Sequence, residues 1–337
     1  ILSMKVAEWF DKNRYKASSF SNIKKLVELK RKQKTAISVV IPTLNEESTI
    51  GKIIEVLKEN LMQKYKLVDE IVVIDSGSTD KTRDNAKKAG ANVYLDSEIL
   101  KRKGNYKGKG ENLWKSLYVT KGNIICWIDG DIKNIHPRFI YGLVGPLLTN
   151  KNIYYTKAFY QRVSKKANGT TPLGGGRTTE LCFRPLINMF FPLLSGFIQP
   201  LSGEYAGRRK HLERLPFFTG YGVETGLLID MQKKFGLKRV AQVDLVSRIH
   251  KHQSLRGLSK QAFAVLQVIS KRANTLGKFI LVNDIRRKIK IIERATEGKK
   301  VDYKLIDSPI EQIQRPPIIT LEEYRKKFKK EPKWVYD

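Results

Sequence analysis

The N-terminal half of the chain alternates apolar runs with polar segments of helical periodicity. The first apolar run, AISVVIPT at residues 36–43, is continuous, which is typical of a parallel strand buried on both faces. Asn45, a candidate helix N-cap, follows it, and apolar residues then recur at helical spacing from Ile50 to Leu57. The basic residues 1–35 before this strand are predicted to be helical. The pattern predicts a strand, a loop and a helix in that order.

The same alternation continues beyond this unit. A second strand is predicted for DEIVVIDS at 69–76, a polar helix closed by Gly90 follows, and ANVYLD at 91–96 is a third strand. The segment GENLWKSLYVT at 110–120 is predicted to be a helix that leads into the strand ending at Asp129. Repeated strand and helix units of this kind indicate an α/β fold with a parallel sheet.

The rest of the chain has a mixed pattern. Strands are predicted at 152–163 and 240–250, and helices at 178–191 and 222–236. Beyond about residue 270 we expect a basic helical segment followed by a proline-containing tail without a core pattern.

The net charge of +31 indicates an anionic partner, because the excess of Lys and Arg runs through the body of the chain as well as its ends. Phosphorylated metabolites, RNA and an acidic membrane surface are all compatible partners. The apolar stretch from Ile187 to Leu201 is interrupted by prolines and polar residues, so we expect no membrane-spanning segment. Cys126 and Cys182 lie in apolar runs, which predicts reduced thiols and a cytoplasmic location.

Asp129 and Asp131 stand one residue apart after a predicted buried strand. Hard carboxylate oxygens suit Mg²⁺ or Mn²⁺, which bridges a diphosphate, whereas the alternative is a solvated turn. Asn45 follows the first predicted strand, and Asp75 lies at the end of the second. Since ligands gather at the carboxyl ends of parallel strands, we expect one binding mouth lined by these loops, which favours the metal site.

Glycine-containing loops provide further candidates. The small residues after Asp75 allow close approach of a nucleoside, or else Asp75 forms an Asx turn before the next helix. The segment GKGE places Lys109 at a helix start, where it faces a phosphate or lies in a solvated basic loop. The segment GGGRTTE joins glycines to Arg177 at a helix start, which favours an anion site over a flexible linker. His250 and His252 have strand spacing, so they ligate a metal or lie on the surface.

Together these motifs resemble those of the glucosyl-3-phosphoglycerate synthases, retaining glycosyltransferases of the GT-A fold. The motifs are IPTLNEE, DSGSTD, GKGE, DGD, HPRF, GGGRTTEL, QPLSGEYA, GYGVETGLL and RIHKH, within residues 36–265. The resemblance implies an α/β, Rossmann-like and mostly parallel sheet flanked by helices, with a mixed acceptor-binding half and a helical C-terminal extension. The expected parts are a basic helical arm at 1–35, a nucleotide-sugar-binding half at 36–135, an acceptor-binding half at 136–270 and a basic extension at 271–337.

The resemblance also implies an activity, namely transfer of glucose from UDP- or GDP-glucose to 3-phosphoglycerate with Mg²⁺ or Mn²⁺ as cofactor. The product, glucosyl-3-phosphoglycerate, is a precursor of the compatible solute glucosylglycerate. The similar mannosyl-3-phosphoglycerate synthases, which use GDP-mannose, are the alternative, and an RNA-binding protein is a distant one. The chain lacks the RNP-like aromatic pattern and zinc-finger spacing, so we expect no nucleic acid partner. We further expect a homodimer that does not bind a membrane.

The family's functional residues fall on definite positions of this sequence. The donor-binding positions are Pro42, Thr43, Leu44, Glu46, Ser76, Lys109, Asp129, Gly130, Asp131, Tyr221 and Glu224. The acceptor-binding positions are Gly175, Gly176, Arg177, Thr179, Arg248 and His252. The resemblance implies metal ligation by Asp129, Asp131 and His250, and catalytic roles for Lys109, Asp131 and Glu224. This chain departs from the family pattern at Gly130, where a serine is usual, and at His252, where an asparagine is usual.

Overall fold

The computed structural model describes residues 2–166, 169–173, 176–249, 254–278, 287–297 and 300–330. The helices in these ranges are α1 (Leu2–Lys12), α2 (Ile23–Lys32), α3 (Ile50–Leu57), α4 (Thr82–Ala89), α5 (Lys109–Val119), α6 (Arg138–Thr149), α7 (Arg184–Phe190), α8 (Arg209–Leu212), α9 (Val223–Phe235), α10 (Leu255–Thr275) and α11 (Glu322–Phe328). The strands are β1 (Arg14–Lys16), β2 (Ile37–Thr43), β3 (Glu70–Asp75), β4 (Asn92–Leu95), β5 (Ile124–Trp127), β6 (Tyr155–Lys166), β7 (Gly169–Leu173), β8 (Tyr205–Arg208), β9 (Phe217–Phe218), β10 (Val240–Arg248), β11 (Lys288–Glu297), β12 (Lys300–Pro309) and β13 (Gln314–Arg315).

A large mixed sheet organises the chain. Its strand order is β1-β10-β6-β8-β5-β2-β3-β4, and β7 pairs with β6 at one side. Strand β8 is antiparallel to both of its neighbours, β5 and β6, whereas the pairs on either side of this centre are parallel. The mostly parallel α/β sheet predicted from the alternating pattern is therefore confirmed.

Both faces of the sheet are buried, as the continuous apolar runs predict. Successive residues of β2 alternate between two cores, since Val39 and Ile41 pack in one and Val40 packs in the other. Helices α2, α3, α4 and α6 cover the first face, and helices α5, α7, α9 and α10 cover the second. Helix α4 ends at Gly90 with a left-handed φ of 93°, which confirms the predicted helix end.

The N-terminal region differs from its prediction in two respects. Residues 1–35 are not only helical, because Arg14–Lys16 form β1, which pairs in parallel with β10 at the sheet edge. Asn45 was expected to cap α3, but the residue at the N-cap position is Thr49. Asn45 instead has a left-handed φ of 58°, and its side-chain oxygen accepts a hydrogen bond from Thr79 N at 2.9 Å. It therefore ties two loops together.

The C-terminal region also differs from its prediction. Helices α10 and α11 confirm the helical part, but β11 and β12 between them form an antiparallel pair that the sequence analysis did not predict. The tail was expected to lack a core pattern, and this was wrong because Ile318, Ile319 and Tyr324 are buried. The division at residue 135 does not separate two sheets, since strands from both sides share one sheet.

Strands β2, β3 and β5 run in parallel, so their carboxyl ends lie on the same side of the sheet. Thr43 and Asp75 are register partners on this side. The loops that follow these strands therefore meet, as expected. Among the described residues, none of the helices has the length and apolar character needed to cross a membrane. Cys126 is buried, Cys182 is half-buried, and both are free thiols.

Candidate active site

A cleft of about 1200 Å³ opens at the carboxyl ends of β2, β3 and β5. Fourteen of the residues expected at the site line it, and they come from both sides of residue 135. They are Pro42, Thr43, Leu44, Glu46, Ser76, Lys109, Asp129, Gly130, Asp131, Gly176, Arg177, Tyr221, Glu224 and Arg248. Thr179 is buried and is not among the lining residues, while Gly175, His250 and His252 lie outside the described residues.

Asp75 organises one wall of the cleft without lining it. Its carboxylate is fully buried and accepts hydrogen bonds from Thr43 Oγ1 at 3.0 Å and from the backbone amides of Gly77 and Ser78 at 3.0 and 2.8 Å. The Asx turn expected as one alternative for Asp75 is therefore present. Ser76, Gly77 and Thr79 of the same loop line the cleft, as expected of this loop.

Lys109 connects Asp129, which follows β5, with Glu224 in α9. It is the first residue of α5, as predicted, and its ammonium lies 2.5 Å from Asp129 Oδ1 and 3.0 Å from Glu224 Oε1. Burial alone would lower the pKa of Lys109, but Asp129 and Glu224 raise it above its ordinary value. Burial alone would raise the pKa of Asp129, but Lys109 and Arg248 hold it well below its usual range. Both groups are therefore charged at neutral pH.

Arg248 connects the aspartate pair to the interior. Its Nη2 lies 3.0 Å from Asp129 Oδ2 and 2.5 Å from Asp131 Oδ1. Its Nη1 lies 2.9 Å from Glu204 Oε1 and donates to the Tyr160 hydroxyl at 3.0 Å. The side chain expected to bind the acceptor thus holds both aspartates in fixed positions.

A second layer of polar groups lies beneath this cluster. Lys157 is buried, donates to Ser202 O at 2.6 Å and lies 4.1 Å from the centroid of the Tyr205 ring. Burial lowers the pKa of Lys157 to about 7, although Glu224 acts in the opposite direction. Burial and the charge of Glu224 raise the pKa of Tyr205 well above its ordinary value, so this phenol stays neutral.

Two glycines allow the close packing that the site requires. A Cβ added to Gly203 would lie 2.0 Å from Asp129 Oδ2, and one added to Gly110 would lie 1.8 Å from Phe218 O. Any larger residue would displace the aspartate or the start of α5, which carries Lys109. Gly110, the second glycine of GKGE, therefore has a packing role.

The segment GGGRTTE reaches the cleft in part. Gly176 and the exposed Arg177 line it, and a π-helical turn, Thr179–Phe183, follows. Thr178 Oγ1 is buried without a hydrogen-bond partner in the described part of the chain. Such π-helical turns occur frequently at functional sites. Arg177 thus contributes a cationic residue to the wall of the cleft.

The aspartate pair is suited to a divalent cation. Asp129 and Asp131 present half-buried carboxylates that share the Arg248 guanidinium. With Glu204 and Glu224 included, the carboxylates outnumber the permanent cations Lys109 and Arg248, so a Mg²⁺ or Mn²⁺ ion would balance the charge. Within the described residues, no three His, Cys, Asp or Glu side chains are arranged so that they could hold one metal ion together. The expected third ligand, His250, lies outside these residues.

Sequence reasoning missed several residues of the site. Glu204, Tyr160 and Lys157 lie below the aspartates, and Asn112 lines the cleft and donates to Ser76 Oγ at 2.8 Å. The signal available for Glu204 was a single acidic residue next to the apolar strand β8. A lysine inside a predicted apolar strand was the signal for Lys157.

The fold and the cleft define a glycosyltransferase of the GT-A fold. Residues 38–203 match the family described as glycosyl transferase family 2. The crystal structure of mannosyl-3-phosphoglycerate synthase from Rubrobacter xylanophilus superposes with a TM-score of 0.84 at 35% identity, covering 94% of this chain and 99% of that one. The glucosyl-3-phosphoglycerate synthase of Mycobacterium tuberculosis, in complex with Mn²⁺, UDP and phosphoglyceric acid, superposes with a TM-score of 0.75 at 38% identity, covering 89% and 95%.

One sequence relative is more similar still. The chain is 54% identical to the glucosyl-3-phosphoglycerate synthase of Petrotoga mobilis over 322 residues, which cover 96% of this chain and 98% of the relative. The chain belongs to the family of glucosyl-3-phosphoglycerate synthases. The resemblance deduced from its motifs is therefore confirmed.

Proposed function

We propose that this protein transfers glucose from UDP-glucose to the free hydroxyl of 3-phosphoglycerate, using a divalent cation. The observation that carries the proposal is the 54% identity to a glucosyl-3-phosphoglycerate synthase across nearly the whole chain. The Mycobacterium tuberculosis relative has also been solved with Mn²⁺ and UDP-glucose, and with Mn²⁺, UDP-glucose and phosphoglyceric acid. The cleft of this chain supports the same chemistry, because it combines carboxylates for a cation with two separate regions for anionic substrates.

The donor lies in this proposal against the loops after β2 and β3. Leu44 and Ser76 line this part of the cleft and would contact the nucleoside, and the exposed Tyr221 faces it from the other side. Lys109 and Glu224 lie 3.0 Å apart beyond them, where the sugar and diphosphate would follow. The paired charges of these two residues would orient the sugar hydroxyls and the phosphate oxygens.

The acceptor lies in this proposal near Gly176 and Arg177. The Arg177 guanidinium offers paired donors that match a phosphate or carboxylate, and its position in the cleft allows it to bind 3-phosphoglycerate. Thr179 is buried and would act by supporting this turn rather than by touching the acceptor. Arg248 would act mainly by fixing Asp129 and Asp131.

We further propose that the transfer retains the anomeric configuration by attack from the front face. The bond between sugar C1 and the diphosphate oxygen breaks, a bond from C1 to the acceptor oxygen forms, and the hydroxyl proton passes to the departing phosphate. A bound divalent cation would offset the negative charge on the diphosphate. Glu224 is held by Lys109 at 3.0 Å, which supports an orienting role rather than a nucleophilic one. A covalent sugar adduct trapped on Glu224 would refute this mechanism.

We also propose a homodimer in the cytoplasm. Leu181 in the π-helical turn and Met189 in α7 are 79% and 70% exposed, and such apolar side chains support a protein contact. Light scattering after size exclusion should give twice the 38.7 kDa chain mass. A monomer at micromolar concentration would refute the homodimer.

A donor matrix tests the activity. The protein is incubated with 3-phosphoglycerate and Mn²⁺ and with each of UDP-glucose, GDP-glucose, UDP-mannose and GDP-mannose, and nucleotide release is followed. We expect UDP-glucose to give the highest kcat/KM and release to require the acceptor. Preference for GDP-mannose would identify a mannosyl-3-phosphoglycerate synthase, the activity of the Rubrobacter xylanophilus neighbour.

A further inference from the structure

Residues 310–316, which we call the cleft strap, cross the molecule behind the cleft. None of these residues lines the cleft itself. The strap lies between two loops that do border it: the first loop, 103–108, contributes Asn105, Lys107 and Gly108, and the second loop, 219–222, contributes Gly220 and Tyr221.

Arg315 attaches the strap to the first loop. Its guanidinium donates to the carbonyl oxygens of Lys103 at 2.8 Å and Gly104 at 3.1 Å. The same group forms a bidentate ion pair with the buried Glu111, with distances of 2.8 and 2.5 Å. Because Glu111 lies two residues after Lys109 in α5, Arg315 connects the loop to the helix that carries this lysine.

Two aromatic rings hold the guanidinium in place. The Arg315 guanidinium carbon lies 4.4 Å from the centroid of the Tyr106 ring and 4.7 Å from that of Trp114. Trp114 Nε1 also donates to Pro316 O at 2.9 Å. A lysine at position 315 would keep the charge but could not form the planar stack, the bidentate pair and the two carbonyl hydrogen bonds together.

The other end of the strap holds the second loop. Thr219 N donates to Ile313 O at 3.0 Å, and Gly222 N donates to the side-chain Oε1 of Gln312 at 2.9 Å. Strand β13 also pairs with β9, which leads directly into this loop. The loop carries Tyr221 and continues into α9, where Glu224 lies in the first turn.

We propose that the cleft strap is a positioning element that sets the spacing between these two loops, with Arg315 as its anchor on the donor side. This inference rests on the proposed function for its kinetic consequence. If the strap is loosened, the loop at 103–108 samples more conformations, and donor binding must then restrict them. The effect should fall on the nucleotide sugar rather than on 3-phosphoglycerate.

Arg315→Lys tests the proposal, with Arg209→Lys as the matched control. Arg209 is equally buried and donates to the carbonyl oxygens of Gly122 and Leu117, which do not border the cleft. We expect Arg315→Lys to raise the KM for UDP-glucose and the Kd for UDP by about 5- to 30-fold, equivalent to roughly one lost hydrogen bond. The KM for 3-phosphoglycerate should change less than twofold, and amide exchange at 103–108 should accelerate.

The possible outcomes distinguish failure of the strap proposal from failure of the proposed function. If the parent protein makes no glucosyl-3-phosphoglycerate, the proposed function is refuted. UDP binding and amide exchange then still test whether the strap positions the two loops. An active parent whose Arg315→Lys variant matches Arg209→Lys in UDP affinity and exchange overturns the proposal. If Arg315→Lys does not fold, Gln312→Ala is tested in its place. Gln312 is half-buried and accepts the hydrogen bond that attaches the strap to the second loop. Faster exchange at 219–222 with weaker UDP binding supports the strap, and parental values for both overturn it.

Discussion

Glu204 and Arg248 form a buried ion pair directly beneath the aspartate pair, with 2.9 Å between Glu204 Oε1 and Arg248 Nη1. The Tyr160 hydroxyl donates to Glu204 Oε2 at 2.7 Å and accepts from Arg248. The burial of Glu204 raises its pKa, which the charge of Arg248 opposes. This pair fixes the guanidinium that Asp129 and Asp131 share.

Glu204→Gln should therefore damage both stability and turnover. Breaking one side of a buried ion pair commonly costs about 3–5 kcal/mol. The cost here should lie at or below the lower end of this range, because Arg248 keeps Asp129 and Asp131 as partners. Denaturant unfolding and kcat measure the two effects. Glu213→Gln is the control, since Glu213 is also buried and accepts from Tyr324 far along the chain. Equal kcat values for the two folded variants would show that Glu204 has no role in the site.

Arg177→Lys should weaken acceptor binding. Loss of paired, charge-assisted hydrogen bonds costs about 1.5–3 kcal/mol, or roughly 10- to 150-fold in affinity. Titration with 3-phosphoglycerate and, separately, with UDP-glucose would locate the loss. Arg184→Lys is a suitable control because Arg184 pairs with Glu180 outside the cleft. A defect confined to UDP-glucose would move Arg177 out of the acceptor region.

Asp131→Asn should remove turnover while leaving the fold intact. The amide lacks the charge that a divalent cation requires, and the lost charge stabilisation corresponds to roughly a hundredfold or more in rate. Activity as a function of Mn²⁺ concentration is the measurement. Asp244→Asn, which alters another carboxylate of the sheet outside the cleft, should behave as the parent. Turnover within a few-fold of the parent at saturating Mn²⁺ would refute the metal assignment of Asp131.

His211 should make the stability depend on pH. It is buried and stacked on Tyr154 at 3.7 Å, and burial together with nearby cations such as Lys210 lowers its pKa from 6.5 to about 3. Between these values the unfolded chain binds a proton that the folded chain does not, so stability is complete above pH 6.5 and falls as the pH decreases. The expected loss between pH 6.5 and 4.5 is roughly 2 kcal/mol.

His211→Phe keeps an aromatic ring against Tyr154 and removes the titrating group. Urea unfolding of this variant should show a shallower decrease over the same pH interval than the parent. Parallel curves for the two proteins would show that folding does not lower the pKa of His211.

Much of the fold could be predicted from the sequence, because local residue patterns determine where the strands and helices lie. The continuous apolar run of β2 indicated a strand covered on both faces, and Gly90 marked a helix end. The aspartate pair was predictable from its place after β5. Residues far apart in the chain were not predictable. Arg315 meets Glu111 across 204 positions, and no local periodicity encodes such a contact.

Individual side-chain roles were harder to predict than the location of the site. A carboxylate at a strand end can face the solvent or bind its own loop, and Asp75 does the latter because Thr43 and two backbone amides surround it. For Asn45, a hydrogen bond to Thr79 across the cleft wall replaced the local capping interaction. In both cases a residue distant in sequence, Thr43 for Asp75 and Thr79 for Asn45, contributes to the arrangement.

Product analysis tests the central claim most directly. The protein is incubated with UDP-glucose carrying ¹³C at the anomeric carbon, 3-phosphoglycerate and Mn²⁺, and the product is examined by NMR. We predict a single α-glucosyl product joined to the C2 hydroxyl of 3-phosphoglycerate, formed by the parent and not by Asp131→Asn. A β-linked product would contradict retention, and release of free glucose without any glycosidic product would contradict the proposed transfer itself.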